Sequence, residues 1–243
     1  MSRRRLLLVA TVLLPILAAA ALVPAWLGRV PDSLKTRPSA ARPALLLLTS
    51  LPLVFGEKFS LGANGSPALA RLGQRYEVKP IALADSSSLA GYRLLFMAHP
   101  RAQTAAALVD LDHWVRRGGR VLLLADPALD WPSARPFGDP LRPPPGFADT
   151  GLLGHWGVAL EAPATRGPGQ ATLDGRALTL SSSGLLTSAS CEIAGAGIVA
   201  RCVLGRGKAT ILADADLLSP ELSGEGTARN LDALLAELDR LER

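Results

Sequence analysis

The sequence feature that most constrains the fold is a set of strand-length apolar runs separated by helical segments. Residues 44–49, 92–98 and 120–125 each contain a continuous apolar run, which is typical of strands that are buried on both faces of a parallel sheet. Residues 105–117 place leucine and valine at helical spacing and end at a Gly-Gly pair. This alternation predicts an α/β fold with a three-layer, doubly wound and mostly parallel sheet.

The second half of the chain adds hairpins, a loop and a final helix to this pattern. Turn residues at Asp174-Gly175 and at Gly205-Arg-Gly207, each between strand-like segments, predict two β-hairpins. Residues 128–148 are rich in proline and lack periodic apolar residues, so they are predicted to form a long surface loop. Residues 227–241 carry leucines at helical spacing and predict the last helix.

The N-terminal segment predicts a membrane anchor. Residues 6–27 carry no charge, and a helix of this length spans about 33 Å, enough for the hydrocarbon core of a bilayer. Three arginines precede the run. We therefore expect a basic N-terminus (1–5), a single transmembrane signal anchor (6–27), a linker (28–43) and an α/β domain (44–243). The tight arginine cluster favours an inner-membrane protein with its domain in the periplasm. A cleaved signal peptide is the alternative.

The composition excludes several classes of function. The net charge is +5, but the first 30 residues hold four arginines and no acid, which leaves 22 basic and 21 acidic residues in the rest. A near-neutral domain is not expected to bind nucleic acid. Two cysteines and three scattered histidines do not suffice for a Cys-rich or His-based metal centre. No cofactor and no metal are predicted.

Polar residues follow several of the apolar strands, where open α/β sheets bind their ligands. These residues are Thr49, His99, Asp126, Asp214 and Asp216. We expect them to share one edge of the sheet, partly covered by the loop 128–148, and we expect that edge to bind a ligand or a partner. The aspartates have two interpretations: oxygen ligands for Mg²⁺ or Ca²⁺, or residues that fix turns and caps. The second is preferred.

No catalytic constellation emerges from the sequence. A histidine base such as His99 needs a nucleophile and an orienting carboxylate, and the chain has no Gly-x-Ser-x-Gly or Gly-x-Cys-x-Gly elbow. Cys191 and Cys202 are eleven residues apart. They can form a disulfide or remain as buried free thiols, and the sequence leaves both alternatives open. The prediction is a protein that is not an enzyme.

Four blocks resemble a known family. Two of these blocks resemble the GldG-like auxiliary family of uncharacterised ABC-type transport systems. The first is residues 92–100, Tyr-Arg-Leu-Leu-Phe-Met-Ala-His-Pro, and the second is residues 111–127, which contain Arg-Arg-Gly-Gly-Arg and end in Leu-Ala-Asp-Pro. They also resemble a DUF4350-like bacterial domain. The other two blocks, residues 152–158 and 205–219, also resemble these two families.

The resemblance implies a fold like that of class I glutamine amidotransferases, which is also flavodoxin-like, without the nucleophilic cysteine. It also implies an accessory, partner-binding module, with the permease and ATPase subunits supplied by other chains. The alternatives are a hydrolase or amidotransferase-like enzyme that uses His99, and a periplasmic small-ligand sensor.

Overall fold

The structure is a computed structural model that describes residues 35–56 and 65–243. The chain divides into two units at Lys35, and the second of them, Thr36–Arg243, is the compact unit described here. The predicted basic N-terminus (1–5) and anchor (6–27) lie outside the described residues. Of the helices within the described ranges, none has the length and apolarity needed to cross a membrane. The second unit begins at Thr36, within the predicted linker (28–43).

The described residues form eleven strands and six α-helices. The strands are β1 (Ala44–Thr49), β2 (Glu77–Pro80), β3 (Leu94–Ala98), β4 (Arg120–Leu124), β5 (Val158–Glu161), β6 (Pro168–Leu173), β7 (Arg176–Ser181), β8 (Leu185–Ser188), β9 (Glu192–Ala194), β10 (Val199–Leu204) and β11 (Gly207–Leu212). The helices are α1 (Pro67–Gly73), α2 (Ser86–Leu89), α3 (Ala105–Arg116), α4 (Leu152–His155), α5 (Pro220–Ser223) and α6 (Thr227–Glu242). Residues 128–148 contain neither helix nor strand.

Seven strands form the main sheet, in the order β2-β1-β3-β4-β11-β10-β9. The first five are parallel to their neighbours, and β10 pairs antiparallel with both β11 and β9. Two small antiparallel sheets, β5 with β8 and β6 with β7, complete the unit. The predicted α/β fold with a mostly parallel sheet is confirmed. Because β2 and β3 lie on opposite sides of β1, the order of winding reverses between β1 and β3, and such switch points are where open α/β sheets bind ligands.

Helices cover both faces of the main sheet, which explains why its central strands are apolar throughout. On one face, Leu95 and Met97 of β3 belong to a buried cluster with Leu111 and Val115 of α3. The intervening residue, Phe96, points to the other face, where it lies beside residues of α1 and α6. Successive strand side chains alternate between the two faces. The result is the predicted arrangement of three layers.

The predicted hairpin turns occur where the sequence places them. Asp174 and Gly175 both adopt positive φ, 48° and 78°, as a two-residue turn between twisted strands requires. At the β10–β11 turn, Gly207 lies so close to the end of α3 that a Cβ atom would be 2.0 Å from the carbonyl oxygen of Val115. Glycine is therefore required at position 207 by the packing of the hairpin against the helix.

Candidate functional site

The carboxyl edge of the main sheet brings the predicted site residues together. Ala98 at the end of β3 pairs with Thr49 of β1 and with Leu124 of β4, which in turn pairs with Leu212 of β11. The strands thus end level with one another. The predicted residues occupy or follow these ends: Thr49, His99, Asp126, Asp214 and Asp216.

Asp126 and Asp214 are fully buried, and each joins two segments of backbone. The two carboxylate oxygens of Asp126 accept hydrogen bonds from the N–H groups of Ala128 and Ala215, at 2.9 and 2.8 Å. Those of Asp214 accept from the N–H groups of Ser181 and Leu217, at 2.9 and 2.8 Å. Each carboxylate therefore fixes the loops that leave neighbouring strands, which corresponds to the structural interpretation of these residues.

Asp216 is also fully buried, but only one of its oxygens has a partner among the described residues. Its Oδ2 accepts from the N–H of Asp130 at 2.6 Å, whereas Oδ1 has no hydrogen bond within the described part of the chain. Burial, reinforced by the nearby charge of Asp126, raises the pKa of Asp216 to about 8. A carboxyl with this pKa is mostly protonated at neutral pH.

The same desolvation acts on the other two aspartates. Burial raises the pKa of Asp126 to about 6, and it raises the pKa of Asp214 well above its usual value, with the charge of Asp126 adding to the effect. Within the described residues, no group of three His, Cys, Asp or Glu side chains has an arrangement that could hold a metal ion. The three aspartates form a buried cluster in which burial and the charge of Asp126 raise the pKa of the other two, and each of the three accepts at least one hydrogen bond from backbone N–H groups of the loops at this edge.

His99 is completely buried beneath the Pro-rich loop, at a strained position of the backbone. Its φ is 47°, and its Nε2 lies 2.9 Å from the carbonyl oxygen of Pro144. Because a carbonyl can only accept, Nε2 carries the proton and Nδ1 is bare. Nδ1 has no partner among the described residues. Burial lowers the pKa of His99 to about 4, so the ring is neutral at pH 7.

Thr49 connects the end of β1 to its surroundings. Its hydroxyl donates to the carbonyl of Ala98 at 2.9 Å and accepts from the N–H of Leu51 at 2.9 Å. The next residue, Ser50, donates its hydroxyl to the carbonyl of His99 at 2.5 Å. These bonds hold the turn after β1 against the turn after β3.

Asp130 belongs to the same edge, although the sequence gives no signal for it. Its carboxylate accepts from the hydroxyls of Ser181 and Ser182, at 2.9 and 2.5 Å, and pairs with Arg166 at 2.6 Å. Partial burial acts to raise its pKa, but the hydrogen bonds from Ser182 and Arg166 lower it overall. Ser182 has a positive φ of 48°. Asp130 is thus a charged carboxylate that fixes the loop to the turn after β7.

Two clefts run along this edge between the strand ends and the Pro-rich loop. The first, of about 340 Å³, lies at the switch point and is lined by residues that include Ser50, Phe55, Arg101, Arg135 and Leu141. The second, of about 590 Å³, is lined in part by Trp131 and Ser219. Both clefts share Pro52 and Gly56 in their walls, so they lie side by side, and together we call them the groove. Sequence analysis did not single out either arginine.

The two cysteines form a disulfide bond. The Cα atoms of Cys191 and Cys202 are 4.5 Å apart, within the range that a disulfide requires. Cys202 lies in the buried interior of β10, and Cys191 directly precedes β9. The bond therefore ties the edge strand of the main sheet to its neighbour, far from the groove.

The family assignment follows from the first half of the α/β unit. A family of auxiliary proteins described as "ABC-type uncharacterized transport system" matches residues 42–163, half of the chain. This match runs from β1 through the Pro-rich loop to the end of β5. The chain belongs to this family. The family indicates an auxiliary component of an ABC-type transport system, as the sequence blocks predicted. No curated protein matches the chain.

Solved structures share the fold at low sequence identity. The N-terminal domain of mmIFT52 is 16% identical, with a TM-score of 0.53 over 80% of this chain and 96% of that one. The cytoplasmic protein STM1381 from Salmonella typhimurium LT2 is 11% identical, with a TM-score of 0.53 over 82% and 99% of the two chains.

Much larger glycosidases also match in part. The exo-β-1,4-mannosidase Op5Man5 from Opitutaceae bacterium strain TAV5 is 13% identical, with a TM-score of 0.48 over 83% of this chain. The present chain spans only 36% of that enzyme. The likeness therefore carries no argument about activity.

Proposed function

We propose that this chain is a membrane-anchored, non-catalytic auxiliary subunit that binds the permease or ATPase subunits of an ABC-type transport system. The family match supports the assignment of the chain to an ABC-type transport system. The non-catalytic role is supported by the carboxyl edge of the sheet, where the side chains that could act in catalysis are buried and form hydrogen bonds with the backbone. His99 and the three aspartates hold loops in place, which is a structural role.

Catalysis at His99 would need features that this edge lacks. A general base must come within hydrogen-bond reach of its substrate, yet the ring of His99 is fully buried and faces the carbonyl of Pro144. The groups that perturb its pKa are the burial itself, Pro144 and Arg101. None of these is a carboxylate that could orient the ring. A protein-binding role requires no such assembly.

The cysteines support a location outside the cytoplasm. Disulfides persist in oxidising compartments such as the periplasm and are rare in the cytosol. A disulfide between Cys191 and Cys202 agrees with a domain exported behind the proposed anchor at residues 6–27. The proposal includes inner-membrane attachment by a single span, and a fold that is a degenerate relative of class I glutamine amidotransferases and of the DUF4350-like domain.

The test is a co-purification of the full-length chain from its own membranes. The chain, tagged at its C-terminus and expressed at native level, is solubilised in mild detergent and its partners are identified by mass spectrometry. We expect the permease and ATPase of one ABC system in amounts comparable to the chain. Their absence would contradict the proposal. Carbonate extraction of the same membranes tests the anchor, because an anchored chain stays in the pellet and a released one does not.

A further inference from the structure

Large apolar side chains are exposed together at the rim of the first cleft. Phe55 and Phe137 are 84% and 82% exposed, and Leu141 is 65% exposed. Phe55 and Leu141 line the cleft, and Phe137 is linked to its wall through Arg142, which contacts the ring of Phe137 and donates to the carbonyl of Arg135. Single exposed apolar residues are normal in proteins, but a cluster at the rim of a groove marks an interaction site. Phenylalanine is also enriched at the centres of protein interfaces.

Three arginines surround these side chains. The guanidinium of Arg142 lies over the ring of Phe137, 4.2 Å from its centre. Arg101 donates to the carbonyl of Arg142 at 2.8 Å, and Arg142 donates to the carbonyl of Arg135. The neighbouring acid, Asp139, pairs with Arg135 at 3.3 Å. In the described ranges, no carboxylate lies within salt-bridge distance of Arg101 or Arg142, although the charge of Asp139 also acts on Arg101. One carboxylate therefore faces three guanidinium groups, and the surface keeps an excess of positive charge.

These six residues define what we call the Phe-Arg surface: Phe55, Arg101, Arg135, Phe137, Leu141 and Arg142. Three hydrogen bonds hold in place the part of this surface that lies on the Pro-rich loop. Nε2 of His99 donates to the carbonyl of Pro144. The N–H of Leu129 donates to the carbonyl of Pro145 at 3.0 Å, and that of Phe147 donates to the carbonyl of Asp126 at 2.6 Å. Because proline further restricts the loop, little conformational entropy is lost when a partner binds.

We infer that the Phe-Arg surface binds an acidic segment of a protein partner, in which carboxylates alternate with apolar side chains. The carboxylates meet Arg101 and Arg142, and the apolar side chains enter the cleft between Phe55 and Leu141. Complementary charge and buried aromatic anchors are the usual means of recognition for such a segment. The inference rests on the proposed function, because it specifies the chemistry of the partner that the auxiliary subunit binds.

The apolar part of the surface favours a protein over a lipid headgroup. A phosphate group would pair with Arg101 and Arg142 but would leave the cleft between Phe55 and Leu141 empty. A segment with both acidic and apolar side chains occupies both parts of the surface. Crosslinks to lipid would therefore overturn the inference.

The test is site-specific photocrosslinking in living cells with the full-length chain. Phe137 is replaced by p-benzoylphenylalanine, and Val203, which is 76% exposed on β10, receives the same replacement as a matched control. We expect position 137, and not 203, to crosslink to a protein segment that contains at least two carboxylates and an apolar residue. With Arg101→Gln and Arg142→Gln, the yield at 137 should fall about tenfold, whereas Arg229→Gln on α6 should leave it unchanged.

Four results would overturn the inference: crosslinks to lipid, crosslinks to a second copy of this chain, crosslinks to a segment without carboxylates, and no crosslink at position 137. Co-purification separates this failure from failure of the proposed function. If ABC subunits co-purify but position 137 does not reach an acidic segment, the inference is wrong and the proposed function stands. If no ABC subunit co-purifies, the proposed function is wrong, whatever position 137 contacts.

Discussion

Replacing Asp216 by asparagine should change how the stability of the protein depends on pH. The carboxyl of Asp216 is fully buried, accepts one hydrogen bond from the N–H of Asp130, and has a pKa near 8 against a usual value of 3.8. Asp216→Asn keeps an oxygen for that N–H and removes the titration. The comparison of the two proteins therefore isolates the cost of ionising one buried acid.

The sign follows from the direction of the pKa shift. Because folding raises the pKa of Asp216, the folded state binds more protons than the unfolded state between pH 4 and 8, so the stability from this group is present at low pH and is lost as the pH rises. One pKa unit corresponds to about 1.4 kcal/mol, so the free energy of unfolding of the wild type should fall by about 4 kcal/mol relative to Asp216→Asn between pH 4 and 7. The shift of Asp126, to about 6, acts in the same direction in both proteins.

The assay is urea denaturation of both full-length proteins at half-unit pH intervals from 4 to 8, followed by tryptophan fluorescence. The difference in free energy of unfolding should move steadily in favour of the variant as the pH rises. Gly73→Ala in α1, which changes no titratable group and adds a Cβ that meets open space, serves as a control without such a trend. A difference that stays constant within about 0.5 kcal/mol would refute the assignment of Asp216 as a buried neutral acid.

Three further predictions concern stability. The neutral ring of His99 contributes stability that the wild type loses as the pH falls from 6.5 to 4, and His99→Asn removes this dependence, since asparagine tolerates the positive φ. In the same titration, the free energy of unfolding of the wild type should fall by about 3 kcal/mol relative to the variant over that interval, and equal slopes for the two proteins would contradict this. Asp214→Ala leaves the buried N–H groups of Ser181 and Leu217 without an acceptor, and should cost about 2–5 kcal/mol by urea denaturation; a loss under 1 kcal/mol would be inconsistent with the two bonds. Gly207→Ala should lower the free energy of unfolding by at least about 3 kcal/mol in thermal unfolding, since its Cβ would collide with backbone atoms. In Gly73→Ala the added Cβ of α1 meets open space, so the stability should not fall. Similar losses of stability in both variants would disprove the packing argument.

Much of the fold can be predicted because its signals are local. Each central strand is apolar on both faces, Ser66 and Pro67 start α1 as a capping residue and a first-turn proline do, and Asp174-Gly175 supplies a turn with two positive φ angles. The convergence of Thr49, His99 and Asp126 at one edge follows from the parallel arrangement, since parallel strands end on the same side. These inferences need only the sequence pattern and the geometry of the sheet.

The rest depends on contacts between distant residues. Asp130 is 52 residues from Ser182, and Arg101 meets Arg142 across 41 residues, so no short window of sequence contains either pair. Helix α2 is a single turn of three serines and a leucine, and serine has little preference for a helix. The helix is started by a hydrogen bond from the N–H of Ser88 to Asp85. The disulfide depended on whether two Cα atoms approach within bonding distance, which spacing alone does not determine.

The central claim, that the carboxyl edge is not an active site, is tested most directly by complementation of a deletion strain with His99→Ala. The account predicts that growth and transport are largely retained, because the ring contacts no substrate and its loss removes only one of the bonds that hold the Pro-rich loop. His99→Asn is measured in parallel and accepts the positive φ of this position. A null phenotype for both variants, in membranes that contain normal amounts of folded protein, would contradict the account and return His99 to a catalytic role.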